Sequence, residues 1–177
     1  MEGYRGVFGA HRFAFQRARS RLFQTYVVIA GIAVVLIALL ITMGLVLLIA
    51  RTASAPGGSL TLSRSFYIVI GLLVVLPAMA PILVVARRHR RQRQIATTQE
   101  RQLALVGFVY LLSIYLGIVA SIPSRFRLDG EWVTRPPPDG VFAPVVSGLY
   151  MMPQQLAWVL PLLGAIAIAV IIRWTRS

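Results

Sequence analysis

The sequence predicts an all-α integral membrane protein, a bundle of four transmembrane helices with an N-terminal interfacial helix and a small outer hairpin. Three observations predict this class: 58% of the 177 residues are hydrophobic, only 13% are charged, and the apolar residues fall in long blocks. A soluble domain has about 45–50% apolar and about 25% charged residues. The composition therefore excludes a soluble globular enzyme, an intrinsically disordered chain and a disulfide scaffold.

The elements follow from the length of each apolar block, because a spanning helix needs about 20 apolar residues. Four blocks reach or approach this length, and polar segments separate them. In chain order we predict a basic amphipathic cytoplasmic segment (1–25), the first span (26–50), an outer loop (51–64), the second span (65–86), a basic cytoplasmic loop (87–102), the third span (103–122), an outer loop (123–155), the fourth span (156–174) and a cytoplasmic tail (175–177).

The arginines predict the orientation of these spans. One side carries thirteen of the 18 basic residues and two acids, a net charge of +11, and the other side carries five arginines and three acids, a net charge of +2. Cytoplasmic loops carry the excess of basic residues. We therefore expect a multi-pass protein of the cytoplasmic membrane with both termini in the cytoplasm.

The first 25 residues mix aromatic side chains with arginines. On a helical wheel one sector collects Tyr4, Phe8, His11, Phe15 and Leu22, flanked by Arg5, Arg12 and Arg19. This pattern is typical of a helix that lies in the interface, with guanidinium groups toward lipid phosphates. Contact of Arg12 and Arg19 with lipid or a partner is one interpretation, and a basic orientation signal is the other.

Small residues after the first span have the form of a signal-peptidase site, Ala53-Ser54-Ala55. The preceding apolar stretch has 25 residues, whereas the apolar h-region of a signal peptide has about 7–15. We expect the first span to be retained.

A run of basic residues directly follows the second span: Arg87, Arg88, His89, Arg90, Arg91 and Arg93. Each basic side chain near an anionic leaflet contributes about 1 kcal/mol of attraction. We assign these arginines to anionic headgroups, with a protein partner as the alternative. We expect no nucleic-acid binding, because no aromatic side chain interleaves the run. His89 is expected to be solvated, since no other His, Cys or acid stands beside it in sequence.

The second outer loop contains Asp129-Gly130 between two short alternating runs. Asp-Gly is a strong signal for a type I′ turn, so we predict a β-hairpin over residues 126–133. In this register Arg127 faces Trp132, within reach of a cation–π contact. The apolar residues 140–152 are too few to cross a bilayer, and we expect them on the outer leaflet or dipping toward the bundle.

The predicted spans contain no ionisable Asp, Glu, His, Lys or Arg. Proton relays and ion-coupled carriers place such residues at membrane depth. Small and hydroxyl-bearing residues on the third span predict close helix packing, and prolines in the second and fourth spans predict kinks. The packing residues are Tyr110, Ser113, Gly117 and Ser121, and the kink residues are Pro77, Pro81 and Pro161.

The sequence also resembles an uncharacterised family of small four-span membrane proteins from haloarchaea. The resemblance is carried by the opening Glu2-Gly3-Tyr4-Arg5-Gly6-Val7-Phe8-Gly9-Ala10, by Ser20-Arg21-Leu22-Phe23, by Pro56-Gly57-Gly58 and by Val84-Val85-Ala86-Arg87-Arg88-His89-Arg90-Arg91. It implies no assigned activity. A GC-rich archaeal source agrees with the absence of Lys and Asn from the chain.

The function that fits these features best is a non-enzymatic accessory or structural subunit. It would pack with partner membrane proteins or with its own copies and would contact anionic lipids. The alternative is an oligomeric pore or carrier for a small solute, with the third span along the path. An intramembrane enzyme fits least, because the chain has no Cys, two His and five acids, and we predict no catalytic residue, metal or cofactor.

Overall fold

The computed structural model of the protein describes residues 6–51, 57–91, 95–128 and 130–175. The described part is mostly helical. Its elements are α1 (Gly6–Arg17), α2 (Arg21–Arg51), α3 (Gly57–Arg90), α4 (Thr97–Ala120), β1 (Arg125–Leu128), β2 (Glu131–Thr134), α5 (Ala143–Met151) and α6 (Val159–Trp174), with a 3-10 turn at Gln154–Leu156 before α6.

Four of these helical segments are long and apolar enough to cross a membrane: Arg21–Arg51, Ser65–Arg90, Thr97–Ala120 and Gln154–Trp174. The prediction of a mostly helical chain with four such helices is confirmed. The helices continue beyond the predicted spans where arginines and other polar residues still favour helix. The candidate cleavage site at Ala53–Ala55 lies outside the described residues.

Helix α1 packs along α2 and α3. Its buried face carries Ala10 and Ala14, and the buried Ala18 follows directly after the helix; these small side chains let helices approach closely. The connection to α2 is short, and the His11 ring lies against Gly31, where a Cβ would meet ring atoms at 2.8 and 2.9 Å. Helix α1 therefore folds back along α2.

This packing differs from the common aromatic face that the sequence predicts for the N-terminal helix. The aromatic sector does not form one common face, because His11 is half-buried against α2 while Phe15 is exposed. Tyr4 lies outside the described residues. The fully buried contacts of α1 are made by its small side chains, and of the bulky ones His11 and Phe13 are partly buried.

Two buried tyrosines hydrogen-bond to α3 beside its prolines. The Tyr26 hydroxyl donates to the Ala78 carbonyl at 2.6 Å, three residues before Pro81. The Tyr110 hydroxyl donates to the Val74 carbonyl at 2.7 Å, three residues before Pro77. A proline ring removes a backbone donor and disturbs the carbonyls of the preceding turn, and groups from neighbouring helices can satisfy them. The tyrosines thus connect α2 and α4 to the two proline turns of α3.

Helices α4 and α6 approach closely where glycines remove the side chain. A Cβ at Gly117 would lie 3.1 Å from both the Ala157 carbonyl oxygen and Pro161 Cδ. On α6, Gly164 contacts Ser113 and Tyr110. Small residues at the contact explain the short distance between these helices.

Two of the residues predicted for packing or bending have other environments. Ser121 is exposed, and its hydroxyl donates to the Ile118 carbonyl of its own helix at 2.7 Å, so it does not take part in the packing its spacing predicts. Pro161 lies in the first turn of α6, where its missing N–H breaks no internal hydrogen bond. The sequence predicts a kink at Pro161, but a proline at this position gives no reason for one.

A hairpin and a short helix follow the end of α4, and we call this end of the bundle the hairpin end. The predicted hairpin and its register are confirmed, because Arg127 pairs with Trp132 in the antiparallel β1–β2 ladder. The expected cation–π contact is not formed, since Arg127 Nε donates to the Gly130 carbonyl at 3.0 Å. Gly130 has a φ of +93°, a turn conformation that glycine accepts without strain.

The segment after the hairpin contains α5 and is anchored by one arginine. The Arg135 guanidinium lies 3.4 Å from the Tyr150 ring centroid and donates to the Ile122 carbonyl at 2.7 Å. No residue of α5 is buried, and Val141 is 92% exposed. The segment therefore lies on the surface of the bundle.

Candidate functional site

A polar cluster lies at the opposite end of the bundle, where α2 and α4 begin and α3 and α6 end. We call it the basic end because arginines of α3 and α6 lie there. Its centre is Glu100, in the first turn of α4, whose side chain is fully buried. Four segments meet around this carboxylate: the connection before α2, the end of α3, the start of α4 and, through Arg88, the end of α6.

Glu100 binds the start of α2. Its Oε2 accepts hydrogen bonds from the backbone N–H of Arg19 at 2.9 Å and of Ser20 at 2.7 Å. The first N–H groups of a helix and the residues before it have no partner within the helix, and the positive end of the helix dipole favours an anion there. Ser20 adds a longer local contact, because its Oγ accepts from the Phe23 N–H at 3.4 Å. Glu100 therefore caps one helix from the first turn of another.

His89 faces the other oxygen of the same carboxylate. Its Nε2 lies 3.9 Å from Glu100 Oε1, and its Nδ1 lies 3.1 Å from the Val85 carbonyl oxygen. The ring therefore lies between a backbone carbonyl of α3 and the buried carboxylate of α4.

The position of His89 corrects the sequence interpretation. His89 is not simply solvated, because its side chain is 18% exposed and an acid lies close by. Glu100 Oε1 is buried and has no hydrogen-bond partner among the described residues. The end of α3 and the first turn of α4 bring the two side chains together, which their separation in sequence did not reveal.

Arg88 ties the ends of three helices together. Its guanidinium donates to the Thr175 carbonyl at 2.6 Å and to the Thr175 hydroxyl at 3.2 Å. It also donates to Gln99 Oε1 at 3.3 Å. A cation at a helix C-terminus is favoured by the negative end of the helix dipole. Arg88, which the sequence assigned to lipid or partner contact, is engaged within the protein instead.

The other arginines of that assignment differ in environment from Arg88. The structure leaves the side chains of Arg12, Arg19, Arg87, Arg90 and Arg91 exposed, and Arg93 lies outside the described residues. These exposed arginines belong to α1, to the connection before α2 and to the end of α3. This end therefore presents positive charge outward and keeps its one described acid inside.

Glu100 is the functional candidate that sequence analysis missed. Two signals pointed to it: it is the single acid between the second and third spans, and it lies just before the apolar part of the third span. What the sequence could not show is its partner, since the capped N–H groups lie about eighty positions away. Within the described residues no group of three or more His, Cys, Asp or Glu could hold a metal ion.

The fold and this end define a class: a small helical protein with four apolar helices of spanning length and a polar cluster that joins their ends. The chain belongs to the family described as domain of unknown function DUF8056, which it matches over residues 1–176. The prediction of an uncharacterised family is thereby confirmed. No curated protein and no solved structure matches the chain.

Proposed function

We propose that the chain is a four-span protein of the cytoplasmic membrane that serves as a non-enzymatic accessory or structural subunit. The observation that carries this proposal is the apolar surface of α2. None of the most hydrophobic 18-residue window of Arg21–Arg51 is buried within the chain. Such a continuous apolar surface requires lipid or another apolar protein around it.

The orientation follows from charge. The segments at the basic end carry thirteen arginines and the opposite segments carry five. The positive-inside rule then puts the basic end and both termini in the cytoplasm and the hairpin end outside. The absence of Lys and Asn from the sequence supports a GC-rich archaeal source.

Partner packing is supported by the second half of α2. Its large side chains project from the bundle, with Leu39, Leu40 and Met43 all more than 60% exposed. The remaining spans form the buried core with the first half of α2, around Tyr26 and Val27. We assign the exposed half to contact with a partner membrane protein or a second copy, and the exposed arginines to anionic headgroups.

The transport alternative has less support. The hydroxyl groups of the third span that would line a path are used inside the bundle: Tyr110 donates to Val74 and Ser113 donates to the Tyr110 carbonyl at 2.7 Å. Both side chains are buried. These bonds favour a structural role for the third span. An enzyme would require activity lost on changing Ser113, Tyr110 or Asp129, the last of which lies outside the described residues.

Cysteine labelling tests the membrane topology, because the chain has no Cys of its own and the unmodified protein is the unlabelled control. Ser124 at the hairpin end and Thr98 at the basic end are both exposed. In intact cells a membrane-impermeant maleimide is expected to label Ser124→Cys, and Thr98→Cys only after permeabilisation. The reverse pattern, or labelling of both in intact cells, contradicts the proposed orientation.

Purification in mild detergent tests the accessory role. Wild-type protein is expected to copurify with a defined membrane partner or a second copy, and Leu40→Trp, on the exposed half of α2, is expected to lose that association. Val109→Trp is the matched control, because Val109 is also exposed but lies on α4. A monodisperse, solitary wild-type chain rules out the accessory role, and equal retention by both variants rules out the α2 contact.

A further inference from the structure

A crevice opens between α4 and α6 at the basic end. The two helices are close at Gly117 and Gly164, and the contact continues to the buried Ile168. The crevice lies one turn further along α6. It has a volume of about 210 Å³ and is lined by Gln99, Gln102, Ile171, Trp174 and Thr175.

The lining combines hydrogen-bond donors with an apolar wall. Gln99 and Gln102 lie one turn apart on α4, and each amide carries two N–H donors. Ile171 and Trp174 lie one turn apart on α6 and form the apolar side. Tryptophan is enriched at the depth of lipid headgroups, and Trp174 is 75% exposed. The donors and the apolar wall therefore face the same space.

Arg88 fixes the two walls relative to each other. It donates to Gln99 on one side and to Thr175 on the other, so its guanidinium group joins the two helices that form the crevice. This arrangement also orients the Gln99 amide, because its oxygen accepts from Arg88 and its N–H₂ group is left to donate elsewhere. The crevice is thus held by a charged group that contacts two of its lining residues.

The charge at this end of the two helices is positive. Arg101 of α4 and Arg173 of α6 are exposed, and Arg88 contacts two of the lining residues. The nearby acid, Glu100, is fully buried and directs one oxygen to the start of α2. Its charge is therefore turned away from the opening. An occupant that is anionic at one end and apolar at the other complements this surface.

We propose that this crevice binds the phosphodiester of one anionic phospholipid, with the glutamine amides on the phosphate oxygens and the first part of an acyl chain along Ile171 and Trp174. Pockets that enclose a drug-sized ligand have volumes of about 300–1,000 Å³. The smaller volume here suits a headgroup held at the surface while the chains stay in the bilayer. This inference rests on the proposed membrane location and adds a defined site to it.

The test is a lipid titration of the full chain in neutral detergent. Trp132→Phe and Trp158→Phe leave Trp174 as the reporter, since the chain has three Trp, and circular dichroism checks that this background remains helical. Phosphatidylglycerol is expected to change the Trp174 fluorescence saturably, whereas phosphatidylcholine and free glycerol phosphate are not. A saturable response to glycerol phosphate alone contradicts the lipid as occupant.

Matched glutamine variants then locate the site. Gln102→Glu places a negative charge in the crevice and is expected to weaken phosphatidylglycerol binding at least tenfold. Gln16→Glu makes the same change at an exposed position on α1 and is expected to stay within twofold of the parent. Equal weakening by both variants, or by neither, overturns the crevice as the site.

The cysteine-labelling experiment distinguishes a failure of the crevice inference from a failure of the membrane proposal. If the cysteine labels show the proposed orientation and phosphatidylglycerol does not bind saturably, the crevice inference is wrong and the membrane proposal stands. If the chain is absent from the membrane fraction, the membrane proposal is wrong, and the crevice inference, which depends on it, is wrong with it.

Discussion

Removing the Glu100 carboxylate should destabilise the bundle more than a usual substitution of an acid. In Glu100→Ala the backbone N–H groups of Arg19 and Ser20 lose their acceptor. In Glu100→Gln the neutral amide oxygen remains in a similar position and can still accept from both N–H groups. The pair of variants therefore separates loss of the charge from loss of the hydrogen bonds.

The magnitude follows from the exposure of the two donors. A hydrogen bond to a charged group contributes about 1.5–3 kcal/mol, and an unpaired buried donor costs about 1–3 kcal/mol. Ser20 is only 2% exposed, so water cannot easily replace its bond, whereas the neighbouring Arg19 is exposed and recovers most of its loss. We expect Glu100→Ala to lower the free energy of unfolding by about 2–4 kcal/mol and Glu100→Gln by about 1–2 kcal/mol.

Equilibrium unfolding in mixed micelles, followed by the helical circular dichroism signal, measures these values. Glu131→Ala is the matched control, because Glu131 is an exposed acid on the hairpin, and an exposed surface change stays within about 0.5 kcal/mol. If Glu100→Ala and Glu131→Ala have the same unfolding free energy, the carboxylate does not stabilise the start of α2 and the capping argument is refuted.

Three further predictions concern the helix contacts. Tyr26→Phe and Tyr110→Phe each remove a hydroxyl that donates to a carbonyl of α3. Each variant should lower the free energy of unfolding by about 1 kcal/mol. If neither variant changes the free energy of unfolding, the tyrosines do not stabilise the proline turns of α3. Gly107→Ala pushes a methyl group into the Tyr26 ring and should cost about 1–3 kcal/mol. At Gly148 an added Cβ meets no atom within 4 Å, so Gly148→Ala should raise the free energy of unfolding by about 0.5–1 kcal/mol. If Gly107→Ala is the more stable of the two variants, the close contact between Gly107 and Tyr26 is refuted. Burial lowers the pKa of His11 below 6.5, so the unfolded chain binds more protons at this residue. Its contribution to stability should be complete above pH 6.5 and decline as the pH falls toward the lowered pKa, and His11→Gln should abolish that part of the pH dependence of unfolding.

The comparison of sequence and structure is clearest at the hairpin and at Glu100. Asp129-Gly130 and its flanking alternation predicted both the hairpin and the pairing of Arg127 with Trp132, because a two-residue turn fixes the register of its strands. Glu100 was assigned to a polar loop, because its partners are distant in the chain and its burial depends on how four helix ends meet. Local chemistry predicts local pairing, and it does not predict which distant backbone donors a carboxylate will reach.

By itself the sequence determined the four long apolar helices and the asymmetry of charge between the two ends, since both depend only on the length of apolar blocks and on where arginines interrupt them. The tertiary structure alone decided that α1 packs through its alanines and that Tyr26 and Tyr110 meet the proline turns of α3. It also decided that Arg88 joins the helix ends inside the protein while its neighbour Arg87 stays exposed. The physical reason is that hydropathy and charge are summed along the chain, whereas a close contact depends on the faces that two distant helices turn toward each other.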